Sequence, residues 1–140
     1  MADEVPSRRM LAALGRYAAV KRQVFDGQDL NSLTLLNLWF SRCSFVGVDL
    51  RHATLDGCFF KLCDLRGADL RSASLRGVRM AGCDLRGADL RDTDLSAAKF
   101  GVVNTGVPPH GLTDVSDAKF DNAIIRGLQV EQVIGWAQAE

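Results

Sequence analysis

CDLRGADLR at residues 63–71 recurs letter for letter at residues 83–91. Self-similarity at a fixed period outranks any local reading, because it sets the architecture to which each segment belongs. Inside the twenty-residue interval runs a unit of five: CDLRG, ADLRS, ASLRG, VRMAG, CDLRG, ADLRD and TDLSA fill residues 63–97. Outward from there every fifth residue is large and apolar, from Phe25 and Leu30 to Leu95 and Phe100. Two places before each lies a second slot, small once the pattern settles: Cys43, Val48, Ala53, Cys58, Cys63, Ala68, Ala73.

A period of five matches neither the 3.6-residue helix nor the two-residue strand. It matches a short extended side, with two inward side chains flanking one outward residue, followed by a corner. The number of sides follows from the columns. Every twentieth residue gives Phe40, Phe60, Met80, Phe100 and Phe120 on one side, and Leu35, Leu55, Leu75, Leu95 and Val115 on another. Offsets of fifteen or twenty-five would scatter the phenylalanines, so the tube has four sides. Gly27, Gly47, Gly67 and Gly87 share one corner, and Gly57 and Gly77 another. Corners take backbone angles that glycine adopts without steric cost.

The unit Ala/Cys-Asp-Leu-Arg-Gly, repeated over residues 23–100 and resumed at 113–127, resembles the pentapeptide-repeat proteins. The resemblance implies an all-β solenoid, a right-handed quadrilateral parallel β-helix of about five coils with short N- and C-terminal helical caps. Three regions are expected. Residues 1–22 form an N-terminal helical cap or arm, residues 23–127 the solenoid with a loop at 101–112, and residues 128–140 a C-terminal capping helix. Pro6-Ser7 reads as the start of a helix through Lys21, with Met10, Leu11, Leu14, Tyr17 and Ala18 at helical spacing. Ser7-Arg8-Arg9 faintly resembles a twin-arginine export signal, but Gly15-Arg16 interrupts the apolar stretch, so the cap reading is preferred. The oversized Leu33, Leu38 and Trp39 are expected to pack beneath that cap. Residues 101–112, GVVNTGVPPHGL, break the pattern; because Phe100 and Val115 keep the five-residue phase, they read as a loop replacing two sides of one coil.

Net charge is zero, with an excess of three cations in residues 1–22 and of three carboxylates in residues 101–140. So even a balance implies neither a nucleic-acid groove nor a strongly acidic surface. The longest strongly apolar stretch, Leu33–Phe40, is far short of a membrane span. The cysteine spacings match no zinc pattern. Cys43, Cys63 and Cys83 fall in one column and all four cysteines in the small inward slot, so they read as core packing in a reducing, cytoplasmic setting. His52 and His110 stand without a nucleophile, base or phosphate loop around them, so no catalytic residue, metal or cofactor is expected.

What remains is binding. Arg51, Arg71 and Arg91 form an outward column, Arg66 and Arg86 another with Arg76 between, beside acidic columns Asp49, Asp69, Asp89 and Asp64, Asp84. These arginines, with Pro108, Pro109 and His110 in the loop, are the candidate contacts for a protein partner. Val133, Trp136 and Ala137 are candidate contacts for a homodimer, since some members of the family pair through this end. The reading is a non-enzymatic interaction or scaffold module. The resemblance supplies an alternative, a DNA-mimic binder of type II topoisomerase (gyrase) that gives inhibitor protection; such members depend on an acidic surface, which zero net charge in the repeats weakens.

Overall fold

The computed structural model describes residues 4–108 and 110–136. Helix α1 spans Glu4–Ala12 and is followed by seven short strands: β1 Ala19–Lys21, β2 Trp39–Ser41, β3 Phe59–Lys61, β4 Arg79–Ala81, β5 Lys99–Val103, β6 Gly111–Leu112 and β7 Gln129–Val130. Strands β1 to β5 stack in parallel as one wall, in the register Val20↔Phe40, Phe40↔Phe60, Phe60↔Met80 and Met80↔Phe100. Each step consumes twenty residues.

The other three walls are narrower, one bridge per turn. Wall 2 runs Val24, Ser44, Asp64, Asp84, Asp114, Ile134; wall 3 runs Asp29, Asp49, Asp69, Asp89, Lys119; wall 4 runs Thr34, Thr54, Ser74, Asp94, Ile124. The chain is therefore a four-sided parallel β-solenoid, as the columns imply. The side centres meet at the axis. Leu30, Leu65, Leu70, Leu75, Leu85, Leu90 and Leu95 have no exposed surface, and the small slots at Cys58, Ala68, Val78 and Ala88 are equally closed. Phenylalanines stack up the tube: the Phe40 and Phe60 rings lie 5.0 Å apart and nearly parallel, as do Phe25 and Phe45. The corner glycines Gly27, Gly47, Gly57, Gly67, Gly77 and Gly87 all have positive φ.

Three expectations change. The helix ends at Ala12, and Ala18-Ala19-Val20-Lys21-Arg22 already forms a side of the first coil, with Val20 buried. An interrupted apolar pattern at Gly15 cannot sustain a helix to Lys21, whereas the solenoid edge offers backbone partners: Tyr17 N donates to Asn37 O and Trp39 N to Ala18 O. Leu11 is buried against the core, and Arg8 Nη1 donates to Asp29 O at 3.0 Å and to Asn31 O at 3.2 Å, carbonyls on the open lower edge. Capping such an edge satisfies groups that would otherwise invite another strand. Leu33 and Leu38 are buried, whereas Trp39, expected beneath the cap, is 51% exposed on the first wall. Position 39 immediately precedes an inward centre, so its side chain must point out.

The second change concerns the loop. Val102 and Val103 pair antiparallel with Leu112 and Gly111, the two arms of a β-hairpin that projects from the corner between walls 1 and 2. It does not replace two sides; it adds ten residues. Asp84 bridges Asp114, Asp89 bridges Lys119, and Phe100 pairs with Val130. Val115 consequently lies on wall 2 and Phe120 on wall 3, not on the walls of Leu35 and Phe40. Four turns of twenty residues are followed by a fifth of thirty. Gly82, on the corner beneath, has no room for a side chain: a Cβ there would meet Leu62 Cδ2 at 2.7 Å and Gly111 O at 3.1 Å.

The third change is at the C-terminal end. Over residues 128–136 the expected capping helix gives way to β7 and a bridge from Asp114 to Ile134, which carry the solenoid onward. Residues 137–140 of that prediction lie outside the described residues. The upper edge of the fifth coil offers backbone partners to this segment, and Ile134 N uses one of them, Thr113 O. Trp136 then closes the axis edge-on, with ring centroids 5.2 Å from Phe120 and 6.3 Å from Phe100.

Candidate interaction surface

The Asp-Leu-Arg of each repeat places Asp and Arg on the same outer wall, flanking the inward Leu. Their side chains close as forks. Arg71 Nε and Nη2 donate to Asp69 Oδ1 and Oδ2 at 2.9 and 2.7 Å, and Arg66–Asp64, Arg86–Asp84 and Arg91–Asp89 repeat the geometry. Arg51 does the same with Asp49 at 2.9 Å. Four guanidiniums also reach up one coil: Arg51 to Asp69 at 3.9 Å, and Arg66 to Asp84, Arg71 to Asp89 and Arg76 to Asp94 at 3.8 Å. Wall 3 thus carries one continuous ladder, wall 2 a shorter one, and wall 4 the single Arg76 step. The candidate arginines are spread over three walls, and all take part in ion pairs.

These forks predict an acid response. The Arg51 guanidinium holds the Asp49 carboxyl down from the ordinary 3.8 to about 2, and Arg71 and Arg91 lower Asp69 and Asp89 in the same way. A carboxylate whose folded pKa lies below its unfolded value contributes stability above the unfolded pKa and loses it as pH falls through the folded one. Melting temperature at low salt should therefore hold through neutral pH and fall between about pH 4 and pH 2, modestly for each pair because solvent screens them. The fall should be smaller in Arg71→Ala. An identical acid profile for that variant would show that the ladder contributes nothing.

The remaining candidates are placed as follows. His110 and Pro108 lie on the hairpin, Pro108 exposed at its tip and His110 half-buried, its Nδ1 enclosed without a partner; Pro109 lies outside the described residues. Val133 and Trp136 pack partly buried against the core, and Ala137 lies outside the described residues. Ile124 on wall 4, Ile134 on wall 2 and Ile125 are exposed. All four cysteines are free and buried. Cys43, Cys63 and Cys83 each aim Sγ at a carbonyl one turn below: Val20 O at 3.3 Å, Phe40 O at 3.5 Å and Phe60 O at 3.1 Å. Thr113 takes the fourth place in the column, its Oγ1 2.7 Å from Gly101 O and 3.2 Å from Met80 O, at the hairpin neck. Burial pushes the Cys58 thiol up to about 11, and the neighbouring Cys63 thiol, then burial, push Cys43 far above the ordinary range. Thiols so held are packing groups, not nucleophiles. No group of three or more His, Cys, Asp or Glu among the described residues is placed to hold a metal ion.

Wall 1 is built differently. Its outward column carries Trp39, Phe59, Arg79 and Lys99; the second column carries Lys21 and Lys61, and the adjoining corner Arg22 and Arg42. Trp39 meets Phe59 edge-on at 5.6 Å, and Arg79 lies over the Phe59 ring at 4.6 Å. Lys99 approaches Glu131 at 4.0 Å; Lys21, Arg22, Arg42, Lys61 and Arg79 form no ion pair with a described residue. A chain of zero net charge therefore groups five cations that form no ion pair with a described residue on wall 1 and its adjoining corner, around an exposed tryptophan. Sequence reading overlooks this wall because its unit, with Trp-Phe, Phe-Phe and Arg-Met at the centre, departs from Asp-Leu-Arg. The departure is itself the signal.

The profile of the family described as pentapeptide repeats matches residues 43–82 and 63–101, in eight copies. No curated protein matches significantly. Among solved structures, the chain is similar to the pentapeptide repeat protein Rfr23 from the cyanobacterium Cyanothece 51142, with a TM-score of 0.75 at 13% identity over 95% of this chain and 99% of that one. It also matches a trypsin-treated form of QnrB1, a plasmid-mediated fluoroquinolone resistance protein, at 19% identity over 81% and 72% of the two chains, with a TM-score of 0.42. A pentapeptide repeat protein from Nostoc PCC 7120 matches at 23% identity over 93% and 94%, with a TM-score of 0.37. Residues 43–101 are therefore pentapeptide repeats by that profile, and the same ladder continues on both sides of them to complete the tube.

Proposed function

We propose that the protein is a non-enzymatic interaction module that docks a protein partner on wall 1. The observation that supports this is the contrast between walls: the Asp–Arg ladders neutralise walls 2 and 3 internally, whereas wall 1 presents free cations around Trp39. Electrostatic complementarity of this kind steers association and selects partners. The test is affinity purification from the source cells with tagged wild-type protein, a Lys61→Glu/Arg79→Glu variant and Arg71→Ala. A specific co-purifying protein should be lost with the first variant and kept with the second; capture indifferent to wall 1 would overturn the reading.

The projecting hairpin favours a second reading, the DNA-mimic topoisomerase binder. Its charge requirement is unmet on walls 2 and 3, where guanidiniums interleave the carboxylates. A gyrase supercoiling assay separates the two, since inhibition or drug protection at micromolar protein would select the mimic. At the C-terminal end, Val133 and Trp136, partly buried at the close of the tube, together with exposed Ile125, support end-to-end docking of a second copy, which a light-scattering mass of one chain would exclude. Four buried thiols support a reducing, cytoplasmic setting.

A further inference from the structure

Between the two outward columns of wall 1 lies a recess of about 270 Å³ lined by Ala19, Lys21, Trp39, Ser41, Phe59 and Lys61. Resting on the interaction reading above, we infer that this recess binds an acidic, extended peptide segment of the partner, anchored by one bulky apolar side chain. The volume falls below the roughly 300 Å³ where pockets for drug-sized ligands begin, and it is ample for a single large side chain. Its walls are aromatic and its rim is cationic. Lys21 and Lys61 share a column two coils apart, about 9.6 Å at ordinary strand spacing. Carboxylates on either side of the anchor in an extended chain can reach both lysines. Arg42, on the corner between them, adds a third positive group.

The geometry disfavours other anions. A single-stranded nucleic acid needs successive open aromatic faces on which bases stack. Here the Phe59 ring is covered by Arg79, and Trp39 meets its edge, so one ring at most is free. A lipid surface would find one exposed large apolar side chain on this wall, Trp39, where an interfacial segment inserts a whole apolar face. Aromatic anchors ringed by polar contacts are where binding energy concentrates in peptide and protein interfaces.

The test uses a fluorescein-labelled peptide with Phe flanked by Asp and Glu on both sides, read by anisotropy against the full chain. Saturable binding should weaken about thirtyfold in Trp39→Ala, as for a central anchor, and about tenfold in Lys61→Glu. Arg71→Ala on wall 3 should leave it unchanged, and replacing the probe's Phe by Ala should abolish it. Circular dichroism melts confirm that each variant is folded. No saturable binding, binding insensitive to Trp39→Ala and Lys61→Glu, or tighter wall-1-dependent binding of a thymidine oligonucleotide or anionic vesicles would overturn the inference. The two levels fail separately. Partner capture that depends on wall 1 while the peptide fails removes only the peptide class; capture indifferent to wall 1 removes the reading beneath it.

Discussion

Replacing Phe60 by Ala lowers the unfolding free energy by about 3–5 kcal/mol, the range for deleting a fully buried aromatic side chain. The ring is 1% exposed, stacked 5.0 Å from Phe40 and edge-on to Phe45 at 5.7 Å, with Met80 on the coil above. Each such aromatic pair adds about 0.5–1.5 kcal/mol beyond burial. The cavity cannot close, because the backbone around it is pinned from both sides. Phe59 N donates to Leu38 O, Arg79 N donates to Cys58 O, and Cys83 Sγ reaches Phe60 O at 3.1 Å. Phe120→Ala supplies the comparison. That ring lies in the last full coil, 6% exposed and tilted against Phe100, where the end of the tube can relax. Urea denaturation should rank Phe60→Ala well above Phe120→Ala. Equal costs would mean that the coils are not held as a continuous stack.

The reason the centre of the tube could be read from residues alone is that five-residue sides make burial strictly periodic. Phe25 through Phe100 contain no exception, and the corner glycines fall where φ is positive. The same regularity conceals what lies beyond Phe100. Ten inserted residues are a multiple of five, so Val115 and Phe120 remain inward while moving two walls round; the pattern of apolar residues is identical whether a hairpin is added or two sides are replaced. Only pairing across coils separates the cases, as Asp84 with Asp114 does. The first coil hid for another reason. Ala18-Ala19-Val20 fits a repeat side and also continues an amphipathic helix, and the unpaired edge of the solenoid decides between them. Charge in a column of the sequence says nothing about where its partners lie. Asp69 and Arg71, two apart in sequence, close on each other, whereas Lys61 lacks a carboxylate because its wall alternates aromatic and small neighbours.

Excising the hairpin tests that register directly. Gly101 occupies the place of Ala81 and Thr113 the place of Cys83, so residues 102–112 stand where the lower coil has Gly82 alone. Replacing 102–112 by a single Gly should let the fifth coil close in twenty residues, with stability within about 1 kcal/mol of the parent, since changes in loop length carry small entropic terms. Replacing the same segment by two glycines should be severe. One surplus residue turns Val115, Phe120 and all that follow from the axis to the surface, forfeiting about 1.5–3 kcal/mol for each large side chain removed from the core. Hydrogen exchange reads the difference at three amides. Leu85 N, Leu90 N and Leu95 N donate to Asp114 O, Lys119 O and Ile124 O, so only the fifth coil protects them. They should stay protected with one glycine and exchange freely with two, while Leu65 N, bonded to Asp84 O one coil lower, stays protected in both. If one and two glycines gave the same exchange pattern, the ten-residue insertion and the wall assignment of Val115 and Phe120 would both be wrong.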